Sequence, residues 1–171
     1  MRRVSTTVML TCWFGIVATA AAFDFAHYPS YAGYVTMVNQ MAAAYPDMVE
    51  VEVLADTLLN TQRPHKLLAV HVTRDVKTKN NKPKFLLSAA MHGDEISNIM
   101  HMLRLIDWLP ANYAADVRAR RILDSIDLYI FPAVNPDGTW KGSDTVILQA
   151  GPTRGNYKKF DINRNFLRLP G

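Results

Sequence analysis

The stretch Phe85-Leu86-Leu87-Ser88-Ala89-Ala90-Met91 is almost continuously apolar, and it leads at once into a second pattern at Ile96, Ile99, Met100, Leu103 and Ile106. A short apolar run bounded by Pro83 and Gly93 predicts a buried strand, and the recurrence that follows predicts an amphipathic helix. His92-Gly93-Asp94-Glu95 is then the loop between them. A second helical stretch from about Ala114 to Leu123 precedes another apolar run, Ile126 to Val134, which stops at the strong turn signal Asn135-Pro136-Asp137-Gly138. This β-α-β alternation predicts an α/β sheet with helices packed on it.

Upstream, Tyr31, Tyr34, Val35, Val38 and Met41 recur at helical spacing, with Pro29 and Ser30 as a start signal and Tyr45-Pro46 as a stop. Val49, Val51 and Val53 then alternate with Glu50 and Glu52, the period of a half-exposed strand. Leu67 to Val72 supplies a second run after the turn-like residues Asn60 to Pro64, so the two runs predict a hairpin. No repeat, low-complexity stretch or Gly/Ser-rich linker divides the chain, and a single domain over 23–171 is expected.

The first 22 residues read differently. Arg2 and Arg3 precede an apolar run from Val8 to Val17, and Ala18, Ala20, Ala21 and Ala22 follow it. That is the three-part pattern of a secretory signal peptide, with cleavage expected before Phe23, and the run is short for a membrane span. Export to the secretory pathway or beyond is the expectation, with no membrane association after cleavage. The single cysteine, Cys12, falls inside this segment, so the processed chain would form no disulfide of its own. The formal charge of +4 drops by two with Arg2 and Arg3, too little to imply nucleic acid or an anionic membrane as partner. Arg118, Arg120 and Arg121 are the densest basic cluster, and a solvated helix face accounts for them.

His92 and Glu95 sit where a strand of the sheet ends, the place where open α/β sheets gather their ligands. Zinc accepts imidazole nitrogen and carboxylate oxygen, and a His-x-x-Glu pair in a tight loop can offer both. Two ligands do not complete a catalytic zinc site, which takes three and an open position. By itself the pair is weak evidence for zinc and reads more readily as a glutamate favouring a helix N-terminus and a histidine bonded in a turn. His27, His65, His71 and His101 lack ligand spacing to His92 and read as structural or surface residues.

Four segments taken in order say more: His27-Tyr28 with Tyr31, Ala90-Met91-His92-Gly93-Asp94-Glu95, Asn135-Pro136-Asp137-Gly138, and Phe160-Asp161-Ile162-Asn163-Arg164-Asn165-Phe166. In residues and spacing they resemble the zinc metallocarboxypeptidases, the family of carboxypeptidase A and the regulatory carboxypeptidases D, E and N, with the regulatory branch the nearer. The resemblance implies the zinc carboxypeptidase fold, a mixed, mostly parallel eight-stranded sheet flanked by helices, of which this chain would hold the N-terminal portion. It implies hydrolysis of C-terminal residues from peptides or proteins around one zinc ion. His92 and Glu95 would ligate the metal, Asn163 and Arg164 would hold the substrate's terminal carboxylate, and Arg154, ten residues before Arg164, would polarise the scissile carbonyl. The physics suits these roles, since a planar guanidinium grips a carboxylate bidentately and stabilises charge developing on a carbonyl oxygen. Phe160, Ile162 and Phe166 are expected to hold the Asn163-Arg164 segment against a core.

Relatives supply the third zinc ligand, a histidine, together with a tyrosine and a general-base glutamate, well beyond the Asn-Arg segment; this sequence stops at Gly171. The chain alone is therefore expected to be catalytically incompetent, with the strand before His92 left as an apolar edge prone to aggregate. Asp56 to His65 and Leu167 to Gly171 also depart from the family pattern. Two further readings share part of the motif set: an acylamino-acid deacylase of the aspartoacylase type, and a non-catalytic module that binds protein C-termini through Arg164.

Overall fold

The computed structural model describes residues 23–55, 65–141 and 151–166. Residues 1–22, where a signal peptide is expected, residues 56–64, which include the expected turn, and the tail from Leu167 lie outside the described residues.

Ser30 caps the first helix, α1 (Tyr31–Ala44), by accepting a hydrogen bond from the Gly33 amide at 3.0 Å. Strands β1 (Val49–Ala55) and β2 (Leu67–Val72) pair antiparallel, as the two alternating runs predict. Strand β3 (Lys84–Ser88) leads through the His92 loop into α2 (Ser97–Ala111). Helix α3 (Val117–Ser125) follows, with Asp116 as its cap. Arg118 bonds the cap's carboxylate through its side chain and its backbone amide, and holds its pKa down at about 2. Strand β4 (Asp127–Phe131) inserts between β2 and β3, antiparallel to the former and parallel to the latter.

The resulting sheet has the order β1-β2-β4-β3 and is mixed. Val49, Val70, Val72, Leu128 and Ile130 share one face by register and are buried with Tyr34, Val38 and Met41 of α1, Ile99, Leu103 and Ile106 of α2, and Leu123 of α3. The opposite face presents Glu50, Glu52, His71, Tyr129 and Leu86. His71 stacks on Tyr129 with ring centroids 4.4 Å apart, an ordinary structural role of the kind its alternating strand predicts.

The apolar run alone predicts a buried strand before His92, and on that point the structure differs. It agrees instead with the apolar edge that the family resemblance implies, since among the described residues β3 is the sheet's edge, paired on one side by β4, with Phe85 and Leu86 at 55% and 62% exposure. β3 also ends at Ser88, three residues short of the apolar run, because Ala90 takes a left-handed backbone conformation (φ 49°) that no strand can carry. The turn expected at Asn135 closes into one helical turn, α4 (Pro136–Thr139), whose Gly138 amide donates to the Asn135 side chain at 2.9 Å.

Two polar anchors hold the far end of the sheet. Lys82 Nζ donates to Thr73 Oγ1, to the Arg74 carbonyl and to the Leu123 carbonyl, within 2.9 to 3.0 Å, and so closes the last turn of α3 onto the strand end. The buried Asp127 carboxylate accepts from Asn80 Nδ2 and Lys84 Nζ, each at 3.1 Å, with His71 Nε2 3.3 Å away. Burial pushes its pKa up, but these donors outweigh burial and hold it below the ordinary value. A depressed folded-state pKa contributes stability that is complete above the unfolded value, about 3.9, and is lost as pH falls through the folded one. Urea unfolding followed across pH 5 to about 2.5 is expected to show an acid limb that is flatter in Asp127→Asn than in the parent chain; identical limbs would contradict this account.

Candidate active site

The His92 loop is built by backbone constraints that begin one residue past β3. Val134 and Asn135 donate their amides to the carbonyls of Ala89 and Ala90, at 2.9 and 3.0 Å, so the two chain ends leaving the parallel strands stay zipped together. Ala90, buried and left-handed, then swings the chain so that His92 turns back under Glu95, whose amide donates to the His92 carbonyl at 3.1 Å. A non-glycine residue in that conformation costs on the order of 1 kcal/mol, and here the zipped backbone imposes it.

Gly93 explains why this loop meets α4. A Cβ placed there would stand 2.3 Å from the Gly138 carbonyl carbon, 2.5 Å from the Thr139 nitrogen and 2.6 Å from the Thr153 carbonyl oxygen. One placed on Gly138 would in turn stand 2.5 Å from the Gly155 carbonyl oxygen. Three sequence-distant segments thus touch backbone to backbone. The Thr153 amide donates to the Gly138 carbonyl at 2.9 Å, and Asn135 Nδ2 to the Arg154 carbonyl at 3.3 Å, which delivers Arg154 to the His92 loop.

Asp161 completes the cluster. Its Oδ1 lies 3.1 Å from His92 Nε2 and accepts from the Asn163 amide at 2.9 Å, while its Oδ2 accepts from Arg154 Nε at 2.9 Å. On the other side of the ring, His92 Nδ1 lies 2.9 Å from Glu95 Oε1. His92 is buried while the Glu95 side chain is about half exposed. The hydrogen bond to Glu95 is the main cause of a raised His92 pKa, with burial opposing it and Asp161 adding to it. Asp161 is held below the usual carboxylate range: burial raises it, and the Arg154 and His92 hydrogen bonds more than compensate.

His92, Glu95 and Arg154 therefore come together as a unit, joined by a residue that spacing did not single out. Asn163 and Arg164 lie on the adjoining 3-10 turn (Ile162–Arg164), exposed, with Arg164 Nη1 donating to the Asn163 carbonyl at 3.2 Å. The expected aromatic anchoring of this turn is corrected, because Phe160 and Phe166 are 56% and 67% exposed. Hydrogen bonds accepted by Asp161 hold it instead. Asp161 stands within the Phe160–Phe166 segment that carries the resemblance, but no role is read for it from the sequence; its place as the N-cap of Ile162–Arg164 is a signal that could have drawn attention to it. His65 was likewise set aside by spacing, yet it is fully buried with Nδ1 2.7 Å from Asp137 Oδ1, edge-on to Tyr31, and it fastens the start of β2 to α4.

The donor chemistry suits zinc in part. Glu95 faces one ring nitrogen of His92 and Asp161 the other, the arrangement in which a ligating imidazole has its second nitrogen fixed by a carboxylate. Asp161 stands on the far side of the ring and cannot share an ion with Glu95. Among the described residues no three His, Cys, Asp or Glu side chains converge on one point.

Against known proteins, the zinc carboxypeptidase profile matches residues 34–169. The chain belongs to the zinc carboxypeptidase family. Carboxypeptidase M of Mus musculus is 29% identical over 156 residues, which is 90% of this chain and 34% of that protein. Carboxypeptidase D of Drosophila melanogaster is 28% identical over 144 residues, 82% of this chain and 10% of that one. The crystal structure of thrombin activatable fibrinolysis inhibitor superposes with a TM-score of 0.69 at 24% identity, covering 86% of this chain and 36% of the other. Carboxypeptidase A from Helicoverpa armigera gives 0.62 at 19% identity, over 82% and 31%. The α/β architecture is thus part of the zinc carboxypeptidase fold, and the chain spans about a third of the length of carboxypeptidase M.

Because the Gly93 contact is with backbone, which has nowhere to retreat, Gly93→Ala is expected to lower stability by about 1–3 kcal/mol. The measurement is urea unfolding, paired with the His92 ring resonances, which should lose the signature of their two carboxylate partners. An unchanged midpoint and spectrum would show that the loops do not depend on this approach.

Proposed function

We propose that this chain forms one wall of a metallocarboxypeptidase site, exported through the secretory pathway and acting on the C-termini of peptides or proteins. The observation that carries the reading is the convergence of His92, Glu95 and Arg154 through Asp161, from segments 69 residues apart in sequence. Family membership supplies the metal, and carboxypeptidases M and D are named for the chemistry assigned here.

In this reading His92 Nδ1 and Glu95 Oε1 hold zinc, which when bound supplies Lewis acidity beside the scissile carbonyl. Asp161 keeps the His92 ring oriented from behind. The same carboxylate takes Arg154 by Nε, so the terminal guanidinium nitrogens remain available to a carbonyl oxygen on which charge develops. Arg164 and Asn163, exposed on the next turn, grip the carboxylate that marks a free chain end. That grip makes the reaction an exopeptidase reaction.

Two candidate ligands stand among the described residues, and no group there is placed as a general base. Hydrolysis accordingly needs residues from beyond this set, whereas carboxylate recognition does not. Calorimetry of the 171-residue chain is expected to find that an N-acetylated tripeptide acid binds about tenfold more tightly than its C-terminal amide, with Arg164→Ala erasing the difference. Equal affinity for acid and amide would sink the carboxylate grip. Zinc titration in the same instrument is expected to give weak binding that His92→Ala removes. Release of C-terminal residues by the zinc-loaded chain would overturn the assignment of a missing ligand and base.

A further inference from the structure

Helix α2 carries Ser97, Met100, His101 and Arg104 at spacings of three and four, which place them on one face. With Phe25, Ala26, His27 and Tyr28 they line an open hollow of about 260 Å³. A second hollow of about 410 Å³ shares Phe25, His101 and Arg104 with it and runs on to Asp107 and Trp108. Neither includes any residue of the His92 cluster.

Arg104 stands where the two meet, and it is fixed without being neutralised. Its Nη2 donates to the Phe25 carbonyl at 3.0 Å, and its guanidinium carbon lies 5.4 Å from the Phe25 ring centroid. Among the described residues no carboxylate lies within ion-pair distance of it. The nearby acids are engaged elsewhere: Asp107 accepts from the Tyr45 hydroxyl at 2.9 Å, and Asp24 Oδ2 lies 2.9 Å from His27 Nδ1. A guanidinium has five N–H donors in a planar fork, and one carbonyl occupies only one of them. A cation tethered by a ring and a carbonyl, with donors left over and a hollow in front of it, is placed to take a planar oxyanion.

We propose that this hollow is an accessory oxyanion site, taking a carboxylate or phosphate group with Arg104 as its anchor. His101 and the Ser97 hydroxyl supply further donors from the same helix face, and Phe25 and Met100 receive the apolar part of the ligand. The site is separate from the zinc wall and does not rest on it.

The test is a proton–nitrogen NMR titration of the 171-residue chain, read at the Arg104 side chain and the His101 ring, with inorganic phosphate in one arm and N-acetylglutamic acid α-amide in the other. The second probe carries a side-chain carboxylate but no free chain end. Saturable shifts are expected at both reporters in at least one arm, and the arm that responds identifies the source of the anion. Arg104→Gln should weaken that binding about tenfold, and Arg164→Ala should leave it unchanged. Because Arg104→Gln also loosens Phe25, His101→Ala serves as the second variant: it keeps the Phe25 tether and should weaken the same titration severalfold. Absence of saturation at these reporters in both arms, or parental affinity in both α2 variants, overturns the proposal. Shifts abolished by Arg164→Ala would assign the anion to the carboxylate grip and overturn it equally.

Discussion

Close approach of three backbones at Gly93 is the constraint on which the site depends. Where two main chains come within van der Waals contact there is no room for a Cβ, so the His92 loop, α4 and the Thr153 segment can meet only through glycine. The hydrogen bonds that follow, Thr153 to Gly138 and Asn135 to Arg154, are short-range consequences of that approach. Each brings a charged side chain nearer to His92 without a long lever arm.

Around this junction the molecule separates rigidity from chemistry. The buried pair His65–Asp137, whose carboxylate belongs to α4, and the packed rings of Tyr31, Tyr34 and Trp140 are on the rigid side, whereas Glu95, Arg154, Asn163 and Arg164 are exposed. Asp161 is the link between the two regimes. It touches a buried imidazole, an exposed guanidinium and the turn that carries Arg164. One carboxylate thereby fixes the relative positions of a candidate metal ligand and a candidate substrate ligand.

Much of the architecture was legible because the relevant signals are local. Ser30 before Tyr31, the alternation of Val49 to Val53 and the apolar stripe of α2 each determine an element without reference to anything distant. What could not be read was whatever depends on neighbours in space. The apolar run from Phe85 by itself looks like a strand covered on both sides; how many partners a strand has is written in other segments, so only the family resemblance pointed to the open edge, and among the described residues β3 has one partner. Ala90 gives no warning of its left-handed backbone, since alanine carries no such preference; the zipper to Val134 and Asn135 imposes it. The site was half visible for the same reason. His92 and Glu95 are three residues apart and announce themselves, but Asp161 and His65 acquire meaning only through partners 69 and 72 residues away.

That separation also sets an order of events during synthesis. A ribosome adding about 5–20 residues each second takes on the order of ten seconds to pass from His92 to Asp161. Throughout that interval the imidazole is paired at most on its Glu95 side, and Arg154 emerges only near the end. The strands and α2 can collapse early, from contacts already available, while the His92 cluster waits for Asp161, a carboxylate arriving at a loop that the growing chain has prepared for it.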